Sequence, residues 1–208
     1  MAEPLSPAVL NAAQQQRRQR LIDAGLALLQ RQDFERIQVK DVAEEADVAL
    51  GTLYSYFSSK EHLFAEVLVQ WAATLRASIA RHPLDGVTPE EKLTAALHRS
   101  VRAFQHQPQL ARLVATLQLS SDPFATEVLT RLDLVTRGVY VELLRDLDPA
   151  LADRIIRTAS ASFDSFLRSW SAGRLSTVDL YDHVAEAVSL LFVGAERGAR
   201  DLVPAGEE

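Results

Sequence analysis

Cysteine is absent from the 208 residues, which removes disulfides and thiolate metal ligands and fits a reducing, cytoplasmic setting. The N-terminus lacks the apolar core of a secretory signal, and no apolar run is long enough to cross a bilayer; residues 190–195 are apolar but short. Strand alternation with turn signals is missing throughout, as are repeats and low-complexity segments, so the expected fold class is all-α. There is no GxSxG elbow, no P-loop and no dinucleotide fingerprint. Among the five histidines, His62 pairs with Glu66 and His183 with Glu186 on shared helix faces, but two ligands do not make a metal site. Neither an enzyme nor a cofactor or metal centre is expected. Positive charge is also scarce. The chain carries a net charge of −6, and residues 1–60, with seven Lys/Arg against eight Asp/Glu, contribute only −1 of it.

What is present is an ordinary globular composition, 48% apolar and 24% charged, enough to bury a core in one large or two modest domains. The most informative stretch is VKDVAEEADVALGTLYSYFSSK, residues 39–60. Val39, Val42, Ala43 and Ala46 fall on one arc of a short helix, Asp47, Val48 and Ala49 make a tight turn, and a second helix begins near Leu50. Leu53 and Phe57, four apart, point to the core, which leaves Gly51, Thr52, Ser55 and Tyr56 outward and Tyr54 at the edge. A hydroxyl-rich face that opens with a residue lacking a side chain can approach phosphates and base edges closely. The pattern is that of a helix-turn-helix whose second helix is the reader. The available cations are placed rather than abundant: Arg17, Arg18 and Arg20 cluster near the first helix, and Lys40 and Lys60 bracket the motif. Like charges near a helix N-terminus oppose its dipole, so a phosphate partner accounts for the arginines better than a solvated helix start does. Lys40 can serve a phosphate or pair with Glu44.

The residues ADVALGTLYSYFSSKEHL, a turn followed by Gly-Thr-Leu-Tyr-x-Tyr-Phe and then Ser-Lys-Glu, resemble the DNA-binding signature of the TetR-family transcriptional regulators. The resemblance covers roughly residues 15–68. ADVALGTLYSYF together with FDSFLRSW further resembles the steroid-catabolism repressors within that family. It implies an N-terminal three-helix helix-turn-helix domain over residues 1–60, and a C-terminal helical effector-binding and dimerisation domain over residues 61–208. The DNA-binding residues expected from motif and resemblance together are Arg17, Lys40, Leu50, Gly51, Thr52, Tyr54, Tyr56 and Lys60. Four positions depart from the family pattern, one of them Ser55, which stands where many relatives carry a basic or larger side chain. Gln38 and Ala49 stand where capping side chains are usual, and Asp47 stands where glycine usually makes the turn.

Along the chain, residues 1–13 read as a mobile arm and residues 14–30 as the first helix, with Gly25 suited to close packing. Ser58 and Glu61 form a capping box for a long helix to residue 81, which starts beside the DNA contact and continues into the second domain. A loop spans residues 82–87. Thr88-Pro89, Pro108, Asp122-Pro123, Asp148-Pro149 and Ser176 open helices over 88–106, 108–119, 122–147, 148–172 and 176–196, with Gly173 ending the fourth and a polar tail from residue 198.

Trp71, His98, Phe104, Leu117, Tyr140, Phe163, Phe166 and Trp170 are spread over five helices of the second domain. As single residues the aromatics and Leu117 read as core, with His98 a polar residue that could orient a ligand. Under the resemblance they line a cavity for an apolar effector, an acyl-CoA, lipid or sterol-derived compound if the narrower resemblance holds. The same resemblance pairs the last two helices with those of a second copy, so Phe163 and Phe166 are claimed by both pocket and dimer. The expected function is therefore a homodimeric, ligand-responsive transcriptional regulator, a repressor released from its operator by effector. An effector-independent architectural DNA-binding protein is the alternative, and a second domain of 148 residues, more than dimerisation needs, favours sensing.

Overall fold

The computed structural model describes residues 4–81 and 84–201, with the side chains of residues 78–80 and 196–201 outside that description. His82 and Pro83 of the expected loop, the first three residues of the arm and the tail from residue 202 also lie outside it. Among the described residues there are nine α-helices and no strands. They are α1 (Ala12–Leu29), α2 (Val39–Glu45), α3 (Leu50–Tyr56), α4 (Lys60–Arg81), α5 (Pro89–His106), α6 (Pro108–Leu117), α7 (Pro123–Leu143), α8 (Pro149–Ser171) and α9 (Thr177–Asp201). Two 3₁₀ turns, Pro7–Val9 and Phe34–Arg36, punctuate the N-terminal part. No described helix is long and apolar enough to cross a membrane.

Local chemistry explains most boundaries. Asp122 accepts the Ala125 N–H at 2.8 Å, Asp148 the Leu151 N–H at 2.9 Å and Ser176 the Asp179 N–H at 3.1 Å, each capping the helix that follows. Thr88 and Glu91 form a reciprocal box on α5. Gly173, at φ +72°, closes α8 in the left-handed conformation that glycine adopts without strain. Some ends differ from expectation. α1 starts earlier because Asn11 and Gln14 cap each other reciprocally at 2.9 and 3.0 Å. α4 is capped by Ser59, whose Oγ accepts the His62 N–H at 2.9 Å, and not by Ser58. α7 ends at Leu143 and α9 continues to Asp201, so the tail is helical for four residues beyond the point where it was expected to fray.

The chain divides into two compact units. The first comprises Met1–Ser78 and His106–Leu134, and the second Ile79–Gln105 and Val135–Glu208. The expected head, residues 1–60, lies wholly inside the first unit, which also takes in most of α4, all of α6 and the first half of α7. Within it α2 packs on α1 and α3, and α6 packs on the Phe34–Arg36 turn, where Arg112 pairs with Asp33 at 2.6 Å. Phe34 meets Phe64 edge to face at 5.2 Å. The expected mobile arm is docked from Pro4 onward: the Leu5 N–H donates to Ser55 O at 2.9 Å, and Leu10 is buried. Apolar burial drives this, because Leu10 removes its side chain from water where a solvated arm would leave it exposed.

In the second unit α5, α7, α8 and α9 surround one core of Leu93, Leu97, Tyr140, Ile155, Ile156 and Leu180 with their neighbours. Ala152, Ile155, Ile156 and Ala159 form the inward stripe of α8, at the spacing of one helix face.

Two glycines test how far packing governs the first unit. A Cβ on Gly25 would lie 3.0 Å from Val67 Cγ2, whereas one on Gly51 would meet no atom within 4 Å. Gly25→Leu should therefore destabilise the protein by about 1–3 kcal/mol through overpacking. Gly51→Ala should leave stability unchanged or raise it by up to about 1 kcal/mol, since alanine is the better helix former. Urea denaturation of the two variants, without DNA, checks both outcomes.

Candidate nucleic-acid interface

The helix-turn-helix forms around one backbone feature. Asp47 takes φ +50°, the left-handed region, and so reverses the chain between α2 and α3. Its N–H reaches Glu44 O at 3.1 Å and the Val48 N–H reaches Ala43 O at 2.9 Å, which closes α2 without glycine. The Gln38 N–H donates to Asp41 at 2.8 Å, half of a capping box, as its sequence anticipates. Ala49 gives α3 no side-chain cap, and the helix is held instead by what it buries.

On α3, Leu53 and Phe57 are fully buried, and so is Tyr56, at 3% exposure. The expected outward placement of Tyr56 is therefore corrected. Tyr56 sits three residues beyond Leu53 and so lies on the same helix face; burial of its ring outweighs any contact its hydroxyl offers. The outward face consists of Leu50, Gly51 and Tyr54, with Thr52 and Ser55 half-buried. Ser55 Oγ donates to Thr52 O at 2.6 Å and is thereby occupied.

The cations also sort differently from expectation. Lys60 is turned inward: its ammonium sits 3.9 Å from the centre of the Phe34 ring and donates to Phe34 O. Burial lowers its pKa below the ordinary 10.5, against the opposing pull of Glu61, Glu35 and Asp41. Lys60 thus anchors α4 to the Phe34–Arg36 turn and is not presented to a phosphate. Arg18 also points in, pairing with Glu66 at 2.7 Å and lying 5.2 Å from the centre of the Phe57 ring. Arg17, Arg20 and Lys40 remain exposed, Arg17 with its Nε donating to Ala13 O at 3.3 Å.

Behind the reader lies a polar network that sequence reading missed. Glu66 receives Arg18 from α1 at 2.7 Å and Arg131 from α7 at 3.0 Å. His62 stacks on Phe124 at 5.6 Å, and its Nδ1 accepts the Ser58 N–H at 3.2 Å, so the neutral ring carries its proton on Nε2. Ser58 Oγ in turn donates to Asp122 at 3.1 Å. Burial raises the Asp122 carboxyl, but the Ala125 N–H, the hydroxyls of Ser59 and Ser58 and the nearby His62 outweigh it and hold it below the ordinary 3.8. Beside this network a cavity of about 220 Å³ lies under the arm, lined by Leu5, Arg18, Tyr56, His62, Glu66 and Arg131, among others. The visible sequence signal was the His62–Glu66 spacing, which equally suits a metal pair. Among the described residues, no group of three His, Cys, Asp or Glu could hold a metal ion.

The eight residues expected to line an effector cavity divide between the units. Trp71 and Leu117 are buried in the first. His98, Phe104, Tyr140, Phe163, Phe166 and Trp170 belong to the second. Phe104 and Phe163 approach to 6.5 Å, Phe166 stacks on His183 at 5.4 Å, and Trp170 Nε1 donates to Thr177 Oγ1 at 3.1 Å. Of the eight, only His98 lines the cavity of about 590 Å³ beside α5 and α9, whose wall mixes the charged Glu90, Glu91, Arg99 and Arg102 with Thr94, Ala95 and Ala185.

Two outcomes follow for the network. Glu66→Ala leaves two arginines without their shared carboxylate, one of them almost buried, and should destabilise the fold by about 3–5 kcal/mol in chemical denaturation. Burial lowers the His62 pKa below 6.5, with Arg18 and Arg131 adding to that and Glu66 and Asp122 opposing it. Above pH 6.5 the ring is neutral in both folded and unfolded chains, and its contribution to stability is complete. As the pH falls below that value the unfolded chain takes the proton first, so stability declines toward the folded pKa. His62→Gln should flatten this acid-side decline in a series of denaturation curves; an unchanged pH profile would assign it to other groups.

Residues 21–67 match the family model described as bacterial regulatory proteins, tetR family. The chain is 32% identical over 185 residues to the HTH-type transcriptional repressor KstR of Mycolicibacterium smegmatis, covering 88% of this chain and 90% of that one. It is 29% identical over 153 residues to the HTH-type transcriptional regulator BetI of Rhizobium meliloti, covering 71% and 74%. Among solved structures, the fold is similar to a TetR transcriptional regulator from Rhodococcus, with TM-score 0.77, 22% identity and coverage of 93% and 100%. It is also similar to Thermus thermophilus FadR, a TetR-family repressor solved with lauroyl-CoA, with TM-score 0.70, 22% identity and coverage of 92% and 100%. With the Asp47 turn and the exposed face of α3, these likenesses leave one assignment: the chain belongs to the tetR family of bacterial regulatory proteins, transcription regulators that bind DNA through a helix-turn-helix.

Proposed function

We propose that this regulator is a repressor that holds its operator as a homodimer and leaves it when an apolar small molecule binds. The observation that carries the reading is the outward face of α3. Leu50 and Tyr54 stay 42% and 47% exposed beside an unobstructed Gly51, while most other large apolar side chains of the first unit are buried. Such a face suits insertion into a major groove. Two readers must meet grooves about 34 Å apart, which calls for a dimer. Val178, Leu190 and Val193 leave apolar surface exposed on α9, and a second copy of α8 and α9 is the partner we assign to it. For the effector, an acyl-CoA is supported by the lauroyl-CoA bound to the FadR of similar fold, and a sterol-derived compound by the resemblance of ADVALGTLYSYF and FDSFLRSW to steroid-catabolism repressors. The aromatic residues Phe104, Phe163, Phe166 and Trp170 of the second unit are the side chains we assign to its apolar part.

The DNA-binding residues we retain are Arg17, Lys40, Leu50, Gly51, Thr52 and Tyr54. Of the exposed cations of each head, Arg31 is engaged by Glu45 and Arg36 lies on the Phe34–Arg36 turn; we assign Arg17, Arg20 and Lys40 to phosphates, about six in a dimer. The logarithm of the binding constant should then fall with the logarithm of salt at a slope of about −5. Fluorescence anisotropy on duplexes tiled from the gene's own promoter region measures this, and Tyr54→Ala should weaken binding about tenfold or more while sedimentation still reports a dimer. Thermal-shift measurements with long-chain acyl-CoA and sterol-derived CoA esters test the effector. Stabilisation by neither class, or a monomer that ignores every duplex at low ionic strength, defeats the proposal.

A further inference from the structure

The reader helix has an unusual vocabulary. Its seven residues, LGTLYSY, include no Arg, Lys, Asn, Gln, Asp or Glu. These are the side chains that read guanine, adenine and cytosine edges through paired or charged hydrogen bonds. Two of its four hydroxyls are withdrawn, since Ser55 Oγ donates to Thr52 O and Tyr56 is buried, which leaves those of Thr52 and Tyr54. What α3 offers a groove is the exposed side chain of Leu50, the bare backbone of Gly51, the half-buried Thr52 and the exposed ring of Tyr54.

Leu50 is the first residue of α3 and adjoins the one position of the helix that has no side chain. Its exposed apolar surface is unfavourable in water and gains by being covered. On the edges of base pairs in the major groove, the apolar group available to cover it is the C5 methyl of thymine. We infer that Leu50 is a specificity residue that reads thymine through its C5 methyl, with Gly51 permitting the approach. This rests on the proposed DNA-binding role of α3 and deepens it: the operator carries a thymine at a fixed place in each half-site, recognised by shape and apolar contact.

The test removes one methyl group at a time. Duplexes selected from a random pool by the purified protein define the operator. Each thymine is then replaced singly by deoxyuridine, which deletes the methyl and leaves every hydrogen-bonding group in place. Affinity should fall about fourfold at one or two positions in each half-site. Leu50→Ala, exposed and so without a core to disturb, should bind the thymine and deoxyuridine duplexes alike, with circular dichroism reporting an intact fold. If the natural protein holds its operator equally well at every deoxyuridine position, the inference fails while the DNA-binding reading stands. If Leu50→Ala keeps the full methyl effect, Leu50 is not the reader. If no duplex is selected at low ionic strength, the DNA-binding reading itself falls and the inference with it.

Discussion

A helix of seven residues is too short to persist in water on its own hydrogen bonds, because nucleation consumes most of what propagation returns. α3 is such a helix, and it also lacks a side-chain cap. Its existence depends on burying Leu53, Tyr56 and Phe57 along one face. The elements around it serve that burial. The Asp47 turn sets its direction, the arm closes on its C-terminal end through Leu5 and Ser55, and the cap at Ser59 starts α4 directly behind it. The outward face is what remains once those three side chains are placed. That is why Leu50, Gly51 and Tyr54 stand together at the surface, and why a small set of residues can carry recognition.

The same burial accounts for the scarcity of usable charge. Arg18 and Lys60 lie over the rings of Phe57 and Phe34, and each also has an oxygen partner within the first unit. A cation held in this way stiffens the junctions of α1 and α4 with the reader but contributes little to the field that draws a duplex in. In a chain of net charge −6, sequence-independent attraction is correspondingly weak. Under the proposed operator binding, few phosphate contacts put the demand on close fit at the base edges, and a helix face that opens on glycine suits it.

Much of this was legible in the sequence, because helix caps are local chemistry. Asp122, Asp148, Thr88 and Ser176 cap where their positions ahead of proline or acidic residues indicate, and Gly173 ends α8 as a C-terminal glycine does. Where two local solutions compete, tertiary structure decides. Ser58 and Ser59 can each cap α4, and Ser58 is drawn away by Asp122, a residue 64 positions distant. Tyr56 was misplaced because its hydroxyl suggested a polar role, although three residues after Leu53 is an inward position. Membership of α6 in the first unit rests on the Phe34–Arg36 turn and the Arg112–Asp33 pair, contacts that no local pattern announces. The residues proposed for the effector are the least legible, since an aromatic side chain looks the same in sequence whether it fills a core, lines a cavity or meets a second copy.

The network around Glu66 shows why polar groups are worth keeping behind a recognition helix. An ion pair in a nearly buried site gives little net stability, because desolvation offsets most of the attraction, yet an unpaired partner there is strongly unfavourable. Glu66 and Arg18, both nearly buried, therefore tolerate only arrangements that keep them paired, which constrains α1 against α4, while the half-exposed Arg131 adds a contact from α7. The His62–Ser58 bond applies the same constraint to the residue that follows Phe57, and Asp122 fixes the Ser58 hydroxyl from the start of α7. An apolar core of equal volume could stabilise the unit as well but would accept small slips of one helix past another. Hydrogen bonds with fixed donors and acceptors do not accept them, and the end of α3 is therefore set by direction as well as by volume.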